Sequence, residues 1–377
     1  MFYIHQTTCI SPQQTFSGTE IDLSHEYGSI ENRMQVLEPP YPGIPDNILR
    51  RMAKAVRMGV GTSLPLIRSA AAHPPAGIII GTANGGMEES VKFLKQIIEY
   101  NEDMLTPGNF VQSIPNAISS QISLLSKNKG YNTTHVHRGL AFENAVIDAA
   151  MMLRENPANS YLVGGVDEIA TYHYNLENLA GSYKKEVVSS RHLYETDSPG
   201  TIAGEGAAMF LVNSVKEQAL ARLRSLVTVH TEDEEAVTRQ LQEFLDQTLS
   251  SGEKPDLFLS GENGDNRISH FYTACEEYLT TRYQRAEEQH AAGGAERYLS
   301  ADSLPEAGLP VARYKHLSGE YPTAAAFGLW VACRLVGGMP LAPHLIKRGP
   351  TPSAYKNILL YNNYKGLQHS FMLLSAV

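Results

Sequence analysis

Cysteine is scarce in this 377-residue chain. Its three thiols, Cys9, Cys275 and Cys333, are too few and too scattered for a disulfide framework or a zinc knuckle. Basic charge is short as well: 31 Lys and Arg stand against 40 Asp and Glu, a formal charge of −9, which speaks against a general nucleic-acid binder. No apolar run approaches the roughly 18 residues of a membrane span. A reducing cytoplasm fits the few scattered thiols, and the start, Met1-Phe2-Tyr3-Ile4-His5-Gln6, lacks the basic and then apolar regions expected of a secretory leader. Familiar chemical signatures are missing too. Gly59-Val60-Gly61 lacks the third glycine of a dinucleotide fingerprint, and neither a P-loop nor a Gly-x-Ser-x-Gly elbow occurs. Cys275 and Cys333 fall inside helical patterns, where packing rather than a reactive thiolate is expected.

What is present is an ordinary globular composition, 42% hydrophobic and 19% charged, which excludes wholesale disorder. Pro39 to Gly43 breaks the chain before a helix over residues 47–58, whose Arg50, Arg51, Lys54 and Arg57 form either a solvated face or a site for an acidic partner. Ala76 to Gly81 reads as a buried strand. Helices follow at 87–99 and 114–125, a strand at 132–137 and a long helix at 140–155. Residues 160–163 form a strand ending at Gly164-Gly165, and 207–212 another. This alternation is the α/β signature. A second half begins at 215, giving units 1–214 and 215–377. Its expected helices are 215–223, 232–250, 268–285 and 323–336, its strands 257–259, 358–361 and 370–374. Residues 286–307, rich in Ala, Glu and Gly, are expected to be exposed. His135 and His137 alternate onto one strand face without a third ligand nearby, so no metal site is expected.

Five segments, taken in order, resemble the β-ketoacyl synthases of the thiolase fold. They are Gly81-Thr82-Ala83-Asn84-Gly85-Gly86, Phe110 to Ser119, Asn144 to Ala150 with Leu162 to Glu168, Gly200 to Ala208 (Gly-Thr-Ile-Ala-Gly-Glu-Gly-Ala-Ala), and Lys315 to Gly328. The resemblance implies two similar halves stacked as five layers, αβαβα. Family members extend acyl chains by decarboxylative condensation. They use a cysteine at a helix N-terminus, two histidines and a supporting lysine, because the reaction needs a stabilised thiolate and donors aimed at an enolate.

The chain departs from that pattern at its chemical positions. Counting back from Gly164-Gly165, the nucleophile position falls at Gly139, or at Arg138 with the register slipped by one. The first histidine position falls at Glu262 or a neighbour, the second at Glu320; Lys315 alone is retained. A glycine removes covalent catalysis, and carboxylates would repel an enolate. The resemblance therefore implies a chain-length-factor subunit without catalytic residues or cofactor. It would pair with a catalytic ketosynthase that itself does most of the docking of acyl carrier protein. Alternatives are an acyltransferase with unorthodox residues such as His270 or His137, and a homodimeric acyl or carrier-protein binder. The implied dimer strand carries Thr133, His135 and His137. The implied chain-length gate is Asn84, Met87, Ser90, Val91 and Leu94, or else these are ordinary packing. Arg138 either plugs the vacated pocket by pairing with Glu320 or Glu262, or points to solvent or to the partner.

Overall fold

The computed structural model describes residues 1–16, 31–292 and 308–377, with side chains described except over 284–292. The expected exposed segment 286–307 therefore lies almost wholly outside the described residues and side chains.

Alternation along the strands dictates the layering. In the strand Gly77–Gly81, Ile78 and Ile80 face one apolar cluster and Ile79 another. Tyr161 and Val163 share the face of Ile79, whereas Leu162 and Val166 share that of Ile78. The second half repeats the device. Ile358 and Leu360 point inward to the cluster of Ile79, and Leu359 and Tyr361 point outward to a third cluster. Both halves thus grip one common centre, filled by the helices Ala141–Glu155 and Ala324–Val336. The latter is buried throughout except at Arg334 and its last residue, Val336, and its alanines let it pass close to both sheets. Helices Lys54–Ser69 and Ala117–Ser126 cover one outer face, and Glu234–Thr248 and Ser269–Ala292 the other. The order is αβαβα. Each fully buried Leu, Ile or Phe in these clusters stabilises the fold by about 1.5–3 kcal/mol.

The two halves share one connectivity. In the first, Tyr3–Ile10 lies beside Gly206–Asn213, then Ser160–Asp167, Gly77–Gly81 and Tyr131–His135. In the second, Ala221–His230 lies beside Gln368–Ser375, then Asn357–Tyr364, Leu257–Ser260 and Val311–Arg313, with Ile346–Arg348 added at the edge. In each half the outer three of these five strands run parallel and the inner pairings are antiparallel. A short antiparallel pairing of Tyr3 and Ile4 with Arg222 and Ala221 joins them into one eleven-stranded sheet.

Several local expectations need correction. Residues 215–223 are not helical: a turn leads into the strand Ala221–His230, whose apolar residues alternate with polar ones at the period of a strand. Gly164 and Gly165 do not end their strand, which runs on to Asp167 because small residues are needed where Met209, Ala326 and Thr323 press against it. The helix read at 47–58 is two helices, Asp46–Leu49 and Lys54–Ser69. Lys54 and Arg57 are not a free basic face, since they pair with Glu205 and Glu38. Gly59 serves packing: a Cβ there would lie 2.5 Å from Ile118, so glycine lets the two outer helices approach.

Candidate functional site

The strand Tyr131–His135 passes through a sharp turn into the helix Ala141–Glu155, and Arg138 at the apex has a left-handed φ of 48°. Gly139 follows, buried, with its N–H donating to Gln368 Oε1 at 2.9 Å. A Cβ on Gly139 would lie 2.3 Å from Tyr364 Cβ, so the fold leaves no room for any side chain. Arg138 is exposed and makes no ion pair with Glu320 or Glu262, which removes the plug expected of it. Those carboxylates have other partners.

Lys315 is wholly buried, and its Nζ donates to Glu320 Oε2 at 2.6 Å. Asn263 Nδ2 donates to the same oxygen at 2.8 Å. Glu262, one residue earlier, turns outward to Arg313 and to Lys347, 2.7 Å away. Strand alternation explains the difference: at the end of Leu257–Ser260 adjacent residues leave on opposite sides, so Asn263 rather than Glu262 meets Glu320. A second interior carboxylate, Glu143, sits in the first turn of the central helix and accepts from Ser370 Oγ at 2.7 Å. Burial pushes its pKa up to about 7, against the pull of Ser370 and of the Lys315 charge.

The three cysteines lie elsewhere: Cys9 on a first-half strand, Cys275 on an outer helix and Cys333 on the central one, all buried. Burial pushes Cys9 up to about 12 and raises the other two thiols as well, so none supplies a thiolate near neutral pH. His270 is exposed at the start of the helix Ser269–Ala292. His316, beside Lys315, is held neutral by burial and by His344 and Arg313, its pKa lowered to about 3.

A cleft of about 320 Å³ opens beside this region. Asn84, Asn263, Glu320 and Tyr364 line it, together with Glu168, Tyr174, Tyr183 and Tyr321. Sequence reading missed Tyr364 and the last four. The signal available was an excess of tyrosine, 19 against 11 phenylalanines, several of them between residues 172 and 194. Two further carboxylates build the walls rather than the chemistry. Asp167 accepts from Thr82 Oγ1, the N–H groups of Ala83 and Asn84, and both groups of Thr323, tying the halves together. Glu205 holds the Val36 and Ile169 N–H groups and Lys54.

The expected gate divides. Asn84 lines the cleft, whereas Met87, Ser90, Val91 and Leu94 do not. Ser90 bonds the carbonyls of Gly86 and Ser113, Met87 and Val91 are half-buried, and Leu94 is 59% exposed on the helix Met87–Glu99. Leu94 is thus not core packing. Thr133 and His135 lie in the outermost strand of the sheet, paired on one side only with Gly77–Gly81. His137 lies beyond that strand's end, and both imidazoles meet the same helix, Ala141–Glu155, one turn apart. His135 Nε2 is 2.8 Å from Asp148, and His137 Nδ1 is 2.7 Å from Asn144. Among the described residues no group of three or more His, Cys, Asp or Glu could hold a metal ion, and no helix is long and apolar enough to cross a membrane.

Residues 28–188 match the model of the β-ketoacyl synthase N-terminal domain. No curated protein sequence matches the chain. Among solved structures, the ishigamide ketosynthase/chain length factor is similar with a TM-score of 0.74 at 13% identity, covering 100% of this chain and 99% of that one. The ketosynthase ApeO in complex with its chain length factor ApeC, from Xenorhabdus doucetiae, gives 0.72 at 12% identity, covering 100% and 98%. AntDE:AntF, a type II polyketide acyl-carrier protein in complex with its ketosynthase, gives 0.69 at 14%, covering 100% and 99%. The chain therefore has the thiolase-like fold of the ketosynthases. Ketosynthase/chain-length-factor pairs are among the structures that share it.

Proposed function

We propose that the chain is a non-catalytic subunit of chain-length-factor type. It pairs with an active β-ketoacyl-ACP synthase and shapes that enzyme's acyl tunnel during polyketide, polyene or fatty-acyl chain elongation. One observation carries this reading: at the turn where the resemblance requires a nucleophile, Gly139 is packed against Tyr364 and Arg138 points away. Around it, Glu320 engages the retained Lys315, so that ammonium is not free to stabilise an enolate. The unpaired edge strand supplies the means of association, and Leu94 and Ile98 on the helix Met87–Glu99 are 59% and 78% exposed. Carrier protein would dock mainly on the catalytic partner. Met87, half-buried at the start of that helix, is the residue to test as a gate.

The test is coexpression with the nearest-encoded ketosynthase that retains its cysteine. A one-to-one complex is expected, inert when the partner's cysteine is replaced, and Met87→Ala should lengthen its carrier-bound products by mass spectrometry. Condensation by the purified chain alone, or a homodimer that ignores the ketosynthase, would refute the reading.

A further inference from the structure

We propose that the cleft walled by Glu168, Glu320, Tyr174, Tyr183, Tyr321 and Tyr364 is a binding site for an organic ammonium ion. The inference does not depend on the pairing reading, because it concerns what these walls attract in this chain by itself.

The carboxylates make the first part of the case. Four line the cleft: Glu168, Glu177, Asp265 and Glu320. Three are in ion pairs, Asp265 with Arg267 and Glu320 with Lys315 at 2.6 Å each, and Glu177 with Lys365. Glu168 and Glu320 are nine-tenths buried, at 6% and 9% exposure. Glu168 Oε2 accepts from the Ala55 N–H, and Glu320 Oε2 from Lys315 and Asn263. In both residues Oε1 is buried and has no hydrogen-bond donor among the described residues. A desolvated carboxylate oxygen without a donor is costly, and a ligand N–H would remove that cost.

Aromatic rings make the second part. Tyr174 and Tyr183 stack with centroids 4.9 Å apart, and Tyr321 and Tyr364 add two further rings to the wall. The Arg33 guanidinium already lies 4.4 Å over Tyr174, so the electron-rich faces of this group do attract a cation. Tyrosine rings and carboxylates with an unpartnered oxygen together recognise alkylammonium groups through cation–π attraction and charge-assisted hydrogen bonds. An anionic ligand meets the opposite situation, since both lining cations, Arg267 and Lys365, already have carboxylate partners. The volume of about 320 Å³ suits a small amine, at the lower end of ligand pockets.

The test is calorimetric titration of the full chain with 1,4-diaminobutane and with choline, and with butanol and butyrate as neutral and anionic controls. Saturable binding of at least one ammonium probe is expected, together with a raised Tm. Glu168→Gln keeps the side-chain shape and the acceptor for Ala55, and should weaken binding by about tenfold or more, the scale of one charge-assisted hydrogen bond. Tyr183→Leu should weaken it less and provides a second variant that spares the buried charges. Butyrate binding better than the amines, absence of saturable ammonium binding by the wild type, or binding indifferent to Glu168→Gln would overturn the proposal. None of these outcomes bears on whether a ketosynthase complex forms.

Discussion

The sheet ends differently at its two edges. At one, the three-residue strand Ile346–Arg348 carries Lys347, which bonds Glu262 and Glu276 at 2.7 and 2.8 Å, and Arg348, 3.6 Å from Glu276. Pro350 and Pro352 follow at once. Short length, basic side chains and proline are what blunts a sheet edge against further pairing. At the other edge, Tyr131–His135 is five residues long and holds neither lysine nor proline. The helix Ala117–Ser126 packed on it exposes Leu124, and beyond that helix Pro107–Ser113 exposes Phe110 and Val111 and Met87–Glu99 exposes Leu94 and Ile98. One edge is closed and the other open, and a chain that manages only one edge leaves the other for a partner.

The largest effect should follow from charging the open side. Leu94→Arg with Ile98→Arg places two unpaired cations in an apolar contact, and is expected to weaken the ketosynthase complex by at least about 100-fold. The Tm of the isolated chain should hardly move, because both side chains face solvent there. Sedimentation with both proteins measures the first quantity and calorimetry the second. Undiminished association would abolish the contrast between the edges.

The closed edge should answer in the opposite way. Lys347→Met strips a partner from Glu276, which is buried, and from Glu262, about one-sixth exposed. The pair is only partly shielded, so a loss of about 2 kcal/mol of unfolding free energy is expected, below that of a fully buried pair. Affinity for the ketosynthase should not change. A weakened complex with normal stability would mean that this edge, too, is an interface.

Much of this architecture could be read in the sequence, for a physical reason. The strand at 77–81 and the helices at 87–99, 141–155 and 324–336 are bounded by glycine or proline, or are apolar throughout, and such signals are local. What escaped reading depends on distant contacts. Residues 215–223 contain enough Ala, Leu and Lys for a helix, yet a place between Tyr3–Ile10 and Gln368–Ser375 makes their end a strand. The site was half legible. Lys315 and Glu320 are five residues apart and meet. That Glu262 turns toward Lys347 while Asn263 turns toward Glu320 is set by the exit of one strand and by a residue 85 positions later. The four tyrosines of the cleft come from a helix, two loops and a strand end, so no single window of sequence could gather them.

The smallest predicted effect concerns how rigid the open edge is before a partner arrives. Asp148, from the central helix, accepts from Tyr131 Oη at 3.0 Å and lies 2.8 Å from His135 Nε2. These two residues bracket the outermost strand, so one carboxylate fixes both of its ends against the body of the protein. Asp148→Asn keeps the shape but removes the charge assistance. Both contacts are partly exposed, so about 1 kcal/mol is at stake, a fivefold loss in affinity for the ketosynthase. If the edge is preorganised in this way, the loss should appear as slower association, since a looser strand must be ordered during docking. Stopped-flow mixing of the two proteins separates the rates. A change confined to dissociation would mean that Asp148 serves the bound state instead.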